Sequence, residues 1–161
     1  MDLSPGNFSG MLPSEIGLLT ALTSMIIDDS GQLTGTIPSE IFQLHELRFL
    51  DIDENQLTGS IGSEFGALTL LEALELYSLQ LSGPLPSELG LLTLLTSLEV
   101  HDNPLSGTIP LELAESLTNL VLVRLDNTSI SGTIPSQFCD VARLEFNCSE
   151  SLCGCTCNCP P

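Results

Sequence analysis

Lysine and tryptophan are absent from this chain of 161 residues, tyrosine occurs once, and three arginines, Arg48, Arg124 and Arg143, stand against 21 aspartates and glutamates. A formal charge of −18 repels phosphate backbones and anionic lipid heads, so nucleic acid is not expected as a partner and cations or basic surfaces are favoured. With so few aromatics, burial falls to leucine and isoleucine, at roughly 25 cal/mol per Å² removed from water. No apolar run approaches the ~18 residues of a membrane span, and membrane insertion by this segment is not expected. Cysteine is missing before Cys139, and all six cysteines fall between Cys139 and Cys159. The start, Met1-Asp2-Leu3, lacks the charged and then apolar pattern of a secretory leader, so the expectation is a leader already removed or a piece of a longer chain.

What the chain has in abundance is repetition. Gly10, Gly35, Gly59, Gly83, Gly107 and Gly132 return at spacings of 25, 24, 24, 24 and 25. The period is built on L-x-x-L-x-L-x-x-N, ending in Asn at Asn55 and Asn103, followed by a corner such as Leu33-Thr34-Gly35-Thr36-Ile37-Pro38. A fixed period of this length with one polar loop per turn is the signature of leucine-rich repeats. On the corner segments Phe8 to Pro13, Leu33 to Pro38, Leu81 to Pro86, Leu105 to Pro110 and Ile130 to Pro135, the chain resembles the plant-type subclass found in receptor-kinase ectodomains and polygalacturonase-inhibiting proteins. One corner departs, Leu57-Thr58-Gly59-Ser60-Ile61-Gly62, where glycine replaces proline and a looser turn in the same register is expected. The resemblance implies a right-handed α/β solenoid with a parallel sheet on its concave face and short helical or 3₁₀ turns on its convex face. Its extent predicts a repeat array over 1–146, about six turns with the first truncated, and a Cys-rich C-terminal cap over 147–161 whose pattern already shortens near 136. The family's Cys-paired N-terminal cap is not seen.

Within a repeat, period-two alternation turns Met25 and Ile27, Leu50 and Ile52, Leu74 and Leu76, Leu98 and Val100, and Val123 and Leu125 inward. Ser14, Ser39, Ser63, Ser87 and Ser136 are expected to cap the helical turns, with Glu15, Glu40, Glu64 and Glu88 near their positive ends. The position after each strand, Asn in the family, is Ser30, Asn55, Leu79, Asn103 and Thr128, so the internal amide ladder is kept in two turns of five. One-residue insertions near Asp28–Gln32 and Leu113–Asn119 are expected to fall in connections.

Function is expected where strands lie side by side, since their outward residues form columns about 4.8 Å apart. The first column is Ser24, Phe49, Ala73, Ser97 and Leu122. The second is Ile26, Asp51, Glu75, Glu99 and Arg124, and the third is Asp28, Asp53, Tyr77, His101 and Asp126. Like charges directly opposite on neighbouring strands are destabilising, so the carboxylate row Asp51, Glu75, Glu99 suits a basic protein or peptide, or a divalent ion such as Ca²⁺, or is simply an acidic surface screened by salt. Phe49, Tyr77, Leu122 and Ile26 are apolar or aromatic where packing does not need them, as interface anchors are. Tyr77 and His101 together suit a sugar ring or a peptide. His101, amid Glu99, Asp102 and Asp126, reads first as a solvated surface residue. No Ser-His-Asp arrangement, HExxH or dedicated calcium spacing occurs, so neither an enzyme nor a resident cofactor is expected.

Cys139, Cys148, Cys153, Cys155, Cys157 and Cys159 read as disulfides of an extracellular chain, with 15 possible connectivities, because the one-residue gaps do not match the C-x₂₋₄-C spacing of zinc sites. Sequons at Asn7, Asn127 and Asn147 fit a glycoprotein. These signs favour a non-catalytic recognition module for a protein, peptide or glycan, outside the cell or at its surface. The rival is an acidic structural protein binding cations or ice through regular columns. Some plant-type leucine-rich repeat proteins bind ice, and here the corners supply hydroxyl columns, Thr34, Thr58, Ser82, Ser106 and Ser131 beside Thr36, Ser60, Thr108 and Thr133, one of them broken by Pro84.

Overall fold

Leucine alternation and the corner glycines resolve into one continuous parallel sheet and, at the corners, a four-stranded and a two-stranded parallel sheet linked by the single bridge Gly83 to Leu105. The computed structural model describes residues 8–27 and 32–140 and the short strand Arg143–Glu145, with side chains described up to 138. The expectations placed on Asn7, Asp28, Asn147, Cys148, Cys153, Cys155, Cys157 and Cys159, on the side chain of Cys139, on the start at 1–7 and on the cap at 147–161 lie outside the described residues.

Numbered along the chain, the corner strands are β1 (Gly10–Met11), β3 (Leu33–Thr36), β5 (Gln56–Gly59), β7 (Gln80–Leu81), β9 (Ser106–Gly107) and β11 (Ser129–Ile130). The face strands are β2 (Ser24–Ile26), β4 (Phe49–Asp51), β6 (Ala73–Glu75), β8 (Ser97–Glu99), β10 (Leu122–Arg124) and β12 (Arg143–Glu145). The face strands form one six-stranded sheet in the order β12-β10-β8-β6-β4-β2, every pair parallel. Equivalent residues of successive repeats meet in it: Leu50 faces Leu74, Leu74 faces Leu98, and Leu98 faces Val123. All ten predicted inward residues are buried, so the core is a stack of aliphatic rungs. This is an α/β leucine-rich repeat solenoid.

The corners need glycine for a physical reason that shows at Gly35. Its φ is +82°, and a Cβ there would sit 2.9 Å from the Met11 side chain of the turn before. The substituted corner holds its path, since Gly62 keeps φ −83° and ψ 164° beside −70° and 141° at Pro38.

On the opposite side lie the 3₁₀ turns Ser14–Leu18, Ser39–Gln43, Ser63–Ala67, Ser87–Leu91 and Ser136–Asp140. The serine caps expected at Ser14, Ser39, Ser63 and Ser87 do not form. Proline or glycine holds the cap position, with no side-chain bond to the backbone, and Ser14, Ser39 and Ser87 donate instead to the carboxylate of the glutamate that follows each. The insertion near Leu113–Asn119 is absorbed in the turn itself, which becomes the α-helix α1 (Leu111–Ser116), with Leu117 N–H bonding Leu113 C=O at 3.0 Å. The exchange works because an α-turn rises about 1.5 Å per residue against about 2.0 Å for 3₁₀, so six residues span about what five did. β10 thereby stays in register.

Two buried asparagines tie the loops together. Asn55 donates to the carbonyls of Ile27, Ile52 and Asp53 and accepts from Leu33 N–H. Asn103 repeats the set one turn beyond Leu79, with Leu76, Val100, His101 and Leu81 N–H. In the last of these turns Thr128 stands in, its hydroxyl donating to Leu125 C=O at 2.7 Å.

Candidate ligand-binding face

The first two expected columns are present in the register anticipated. Ser24, Phe49, Ala73, Ser97 and Leu122 pair in succession, as do Ile26, Asp51, Glu75, Glu99 and Arg124. Phe49 is the exposed aromatic of the face, at 43% accessibility. Ile26, Leu122 and the three carboxylates of the row are half-buried.

The third column behaves differently from the expectation. Asp53 and His101 are 1% and 3% exposed, and the reading of His101 as a solvated surface histidine is overturned. The reason lies in the residue between them. The Tyr77 ring stacks on His101 with centroids 4.5 Å apart and planes 15° from parallel, while its hydroxyl hydrogen-bonds Asp53. Side chains of three successive turns thus lie along the stack and cover one another.

Burial is the main cause of the shifts that follow. Burial first, opposed by the Tyr77 hydroxyl and helped by the Asp51 and Glu54 charges, brings the Asp53 carboxyl up to about 7. Tyr77 is held well above the usual phenol range by its own burial and by Asp53. Burial lowers His101 from the ordinary histidine value, Arg124 adds to this, and Asp126, Asp102 and Glu99 resist. His101 is therefore neutral on this face at pH 7. Its Nδ1 is buried without a hydrogen-bond partner, and its Nε2 lies 3.7 Å from Asp102 Oδ2.

Sequence reasoning did not foresee two links. Arg124 lies 3.6 Å from both Glu99 and Asp126, so the far end of the carboxylate row is partly neutralised from within. Just before the strands, Arg48 bridges Glu72. The signal was available: residues 24 apart become neighbours, and these two carry opposite charge. Asn127, a sequon candidate, donates to Asp102 Oδ1 at 2.8 Å. Among the described residues no three His, Cys, Asp or Glu converge as metal ligands. None of the helices searched is long and apolar enough to cross a membrane.

The corner hydroxyls do not form the expected first column. Thr58, Ser82 and Ser131 donate to the carbonyls of Gly35, Gly59 and Gly107 in the preceding turn. The ladder is also sheared, with Thr36 beside Thr58 and Thr34 beside Gln56.

The sequence profile of the leucine-rich repeat matches residues 46–68 and 94–116. No curated protein matches the chain. Among solved structures, the chain is similar to PEPR1 in its structure with AtPEP1, at 35% identity and TM-score 0.82, covering 91% of this chain and 20% of that one. It is similar to the Arabidopsis receptor kinase HAESA, solved in complex with the peptide hormone IDA and the co-receptor SERK1, at 33% identity and TM-score 0.77, covering 86% and 24%. A plant ice-binding protein is similar at 28% identity and TM-score 0.79, covering 88% and 45%. The chain thus spans about a quarter or less of the length of these receptors.

Proposed function

Since this chain is a leucine-rich repeat protein of the plant type, we propose that its strand face is a non-catalytic surface for recognising a protein, peptide or glycan. The partner we favour is basic, and the place is outside the cell or at its surface. The observation that carries this is the row Asp51, Glu75, Glu99 in strict register on a face the core does not use, with exposed Phe49 in the next column. Like charges aligned this way cost stability in the free protein, and a cationic partner offsets that cost. The likeness to HAESA, itself solved with a peptide hormone, supports a peptide or protein partner. The plant ice-binding protein matches the fold about as well as HAESA does, so what weighs against ice is local: Thr58, Ser82 and Ser131 spend their hydroxyl protons on the backbone.

The test is a displayed random-peptide library selected on the folded chain. Selected peptides should be rich in Arg and Lys and should bind a Glu75→Gln/Glu99→Gln variant about tenfold or more weakly, as expected when charge pairs worth ~1.4 kcal/mol or more are lost. A Glu64→Gln variant on the opposite side should bind as the wild type does. Peptides that lose affinity only with the Glu64 change would refute the assignment of the face.

A further inference from the structure

Asn127-Thr128-Ser129 is the sequon whose three residues all lie within the described structure, and the strand-face reading leaves it unused. The backbone around it is fixed. Asp102 N–H bonds Asp126 C=O, Thr128 Oγ1 donates to Leu125 C=O and accepts from Ile130 N–H, and Ser129 N–H bonds Leu105 C=O at 2.7 Å. Asn127 itself is exposed, with φ 52°, in the left-handed turn between β10 and β11. Glu54, Ser78 and Asp102 hold the same conformation in earlier repeats, and only Asn127 brings an amide to it. That amide donates to Asp102 Oδ1 at 2.8 Å, so the side chain leans along the stack over the loop edge of the preceding turn. A fixed turn with an outward amide suits a bulky, solubilising modification.

We propose that Asn127 carries an N-linked glycan, and that this glycan closes the loop-side edge of the strand face at Asp102. It rests on the extracellular placement proposed above, because the sugar donor acts in the secretory lumen. Nδ2 of Asn127 attacks C1 of a lipid-linked oligosaccharide pyrophosphate. The Nδ2–C1 bond forms, the C1–O bond to the pyrophosphate breaks, and one amide proton leaves with the lipid pyrophosphate. Of the two Nδ2 hydrogens one remains, which is enough to keep a bond to Asp102. The folded turn therefore holds the sugar without opening.

The place of the sugar divides the face. Asp102 stands beside buried His101, and Arg124 meets both Glu99 and Asp126, so the acids at this end already have neighbours of their own. Phe49 and Asp51 lie three strands from β10 in the same sheet, about 14 Å away at ~4.8 Å per strand. They stand clear of the first sugar. A cationic partner is thus left the turns of Phe49, Asp51 and Glu75, while the glycan covers the loop edge at the other end.

The test uses the full chain secreted from yeast behind a cleavable leader, beside a Ser129→Ala variant that removes the sequon and keeps Asn127 with its bond to Asp102. Peptide mass spectrometry after glycosidase release in ¹⁸O-water should find ¹⁸O-labelled aspartate at 127 in the wild type and asparagine in the variant. Unmodified asparagine there in the secreted wild type would overturn the site. Modification in yeast but not in the protein isolated from its source cells would overturn the extracellular placement and the natural glycan together. Coverage is read by carbodiimide labelling of carboxylates. The glycosylated chain should lose labelling at Asp102 relative to Ser129→Ala, with Glu75 labelled equally in both, and equal labelling of Asp102 would overturn the closed edge. Hexa-arginine should bind both chains alike by calorimetry, and binding about tenfold weaker to the glycosylated one would overturn the division of the face. Hexa-arginine that binds neither chain would overturn the recognition reading and that division, while mass spectrometry decides the glycan by itself.

Discussion

At Glu54, Ser78, Asp102 and Asn127 the chain turns from face strand to loop through the left-handed region, with φ between 48° and 52°. Asparagine is at home there, whereas glutamate has no local bond to offset the crowding of its Cβ. Glu54→Asn is therefore expected to raise stability by about 0.5–1 kcal/mol, removing also a charge beside Asp53. Urea unfolding at pH 7 measures it, and an unchanged or lower midpoint would show that strain at this position is not felt. The side chains nearby explain why single residues misled. His101 is flanked in sequence by Val100 and Asp102 and reads as exposed by alternation. Only Tyr77, 24 residues earlier, decides otherwise by lying flat on its ring.

The elements are held less by their own hydrogen bonds than by bonds between turns. The 3₁₀ segments are too short to persist alone, and the amide ladder fixes the loops that join strand to corner. Asn55→Ala would leave the carbonyl of Ile27 and the N–H of Leu33 without their buried partner. The expected loss is about 2–4 kcal/mol, since each orphaned buried group costs ~1–3 kcal/mol. Thermal unfolding checks it, and a loss under about 1 kcal/mol would mean that water or relaxation replaces the ladder. Much at this scale was legible: strand positions, corner glycines and the asparagine ladder all followed from period and residue type. The serine caps were not, because proline or glycine holds the cap position and the side-chain hydroxyl finds the adjacent glutamate first. Nor was α1, because an inserted residue is absorbed by either loop or helix at similar cost.

For the molecule as a whole, 21 acids against three arginines make self-repulsion the dominant electrostatic feature. Of those arginines, Arg48 and Arg124 already bridge carboxylates. Added NaCl should therefore raise the melting temperature, by screening over a Debye length of about 10 Å at 0.1 M. Ca²⁺ at matched ionic strength should add nothing further, because no described cluster converges on a metal. A calcium-specific rise in Tm would contradict this and point to a bound ion.

Sequence by itself determined the solenoid, its period, the inward ladder and which residues stand next to each other one turn away. Those follow from a repeat locked to burial, because a slip of one residue would turn every leucine outward. Tertiary structure alone decided what the outward side chains do once they are neighbours. Tyr77 shields His101, Asp53 is withdrawn from water beside Asp51, and Arg124 reaches two acids. Period fixes where a side chain starts, but its rotamer, its partners and its protonation depend on groups two dozen residues away that no local pattern encodes.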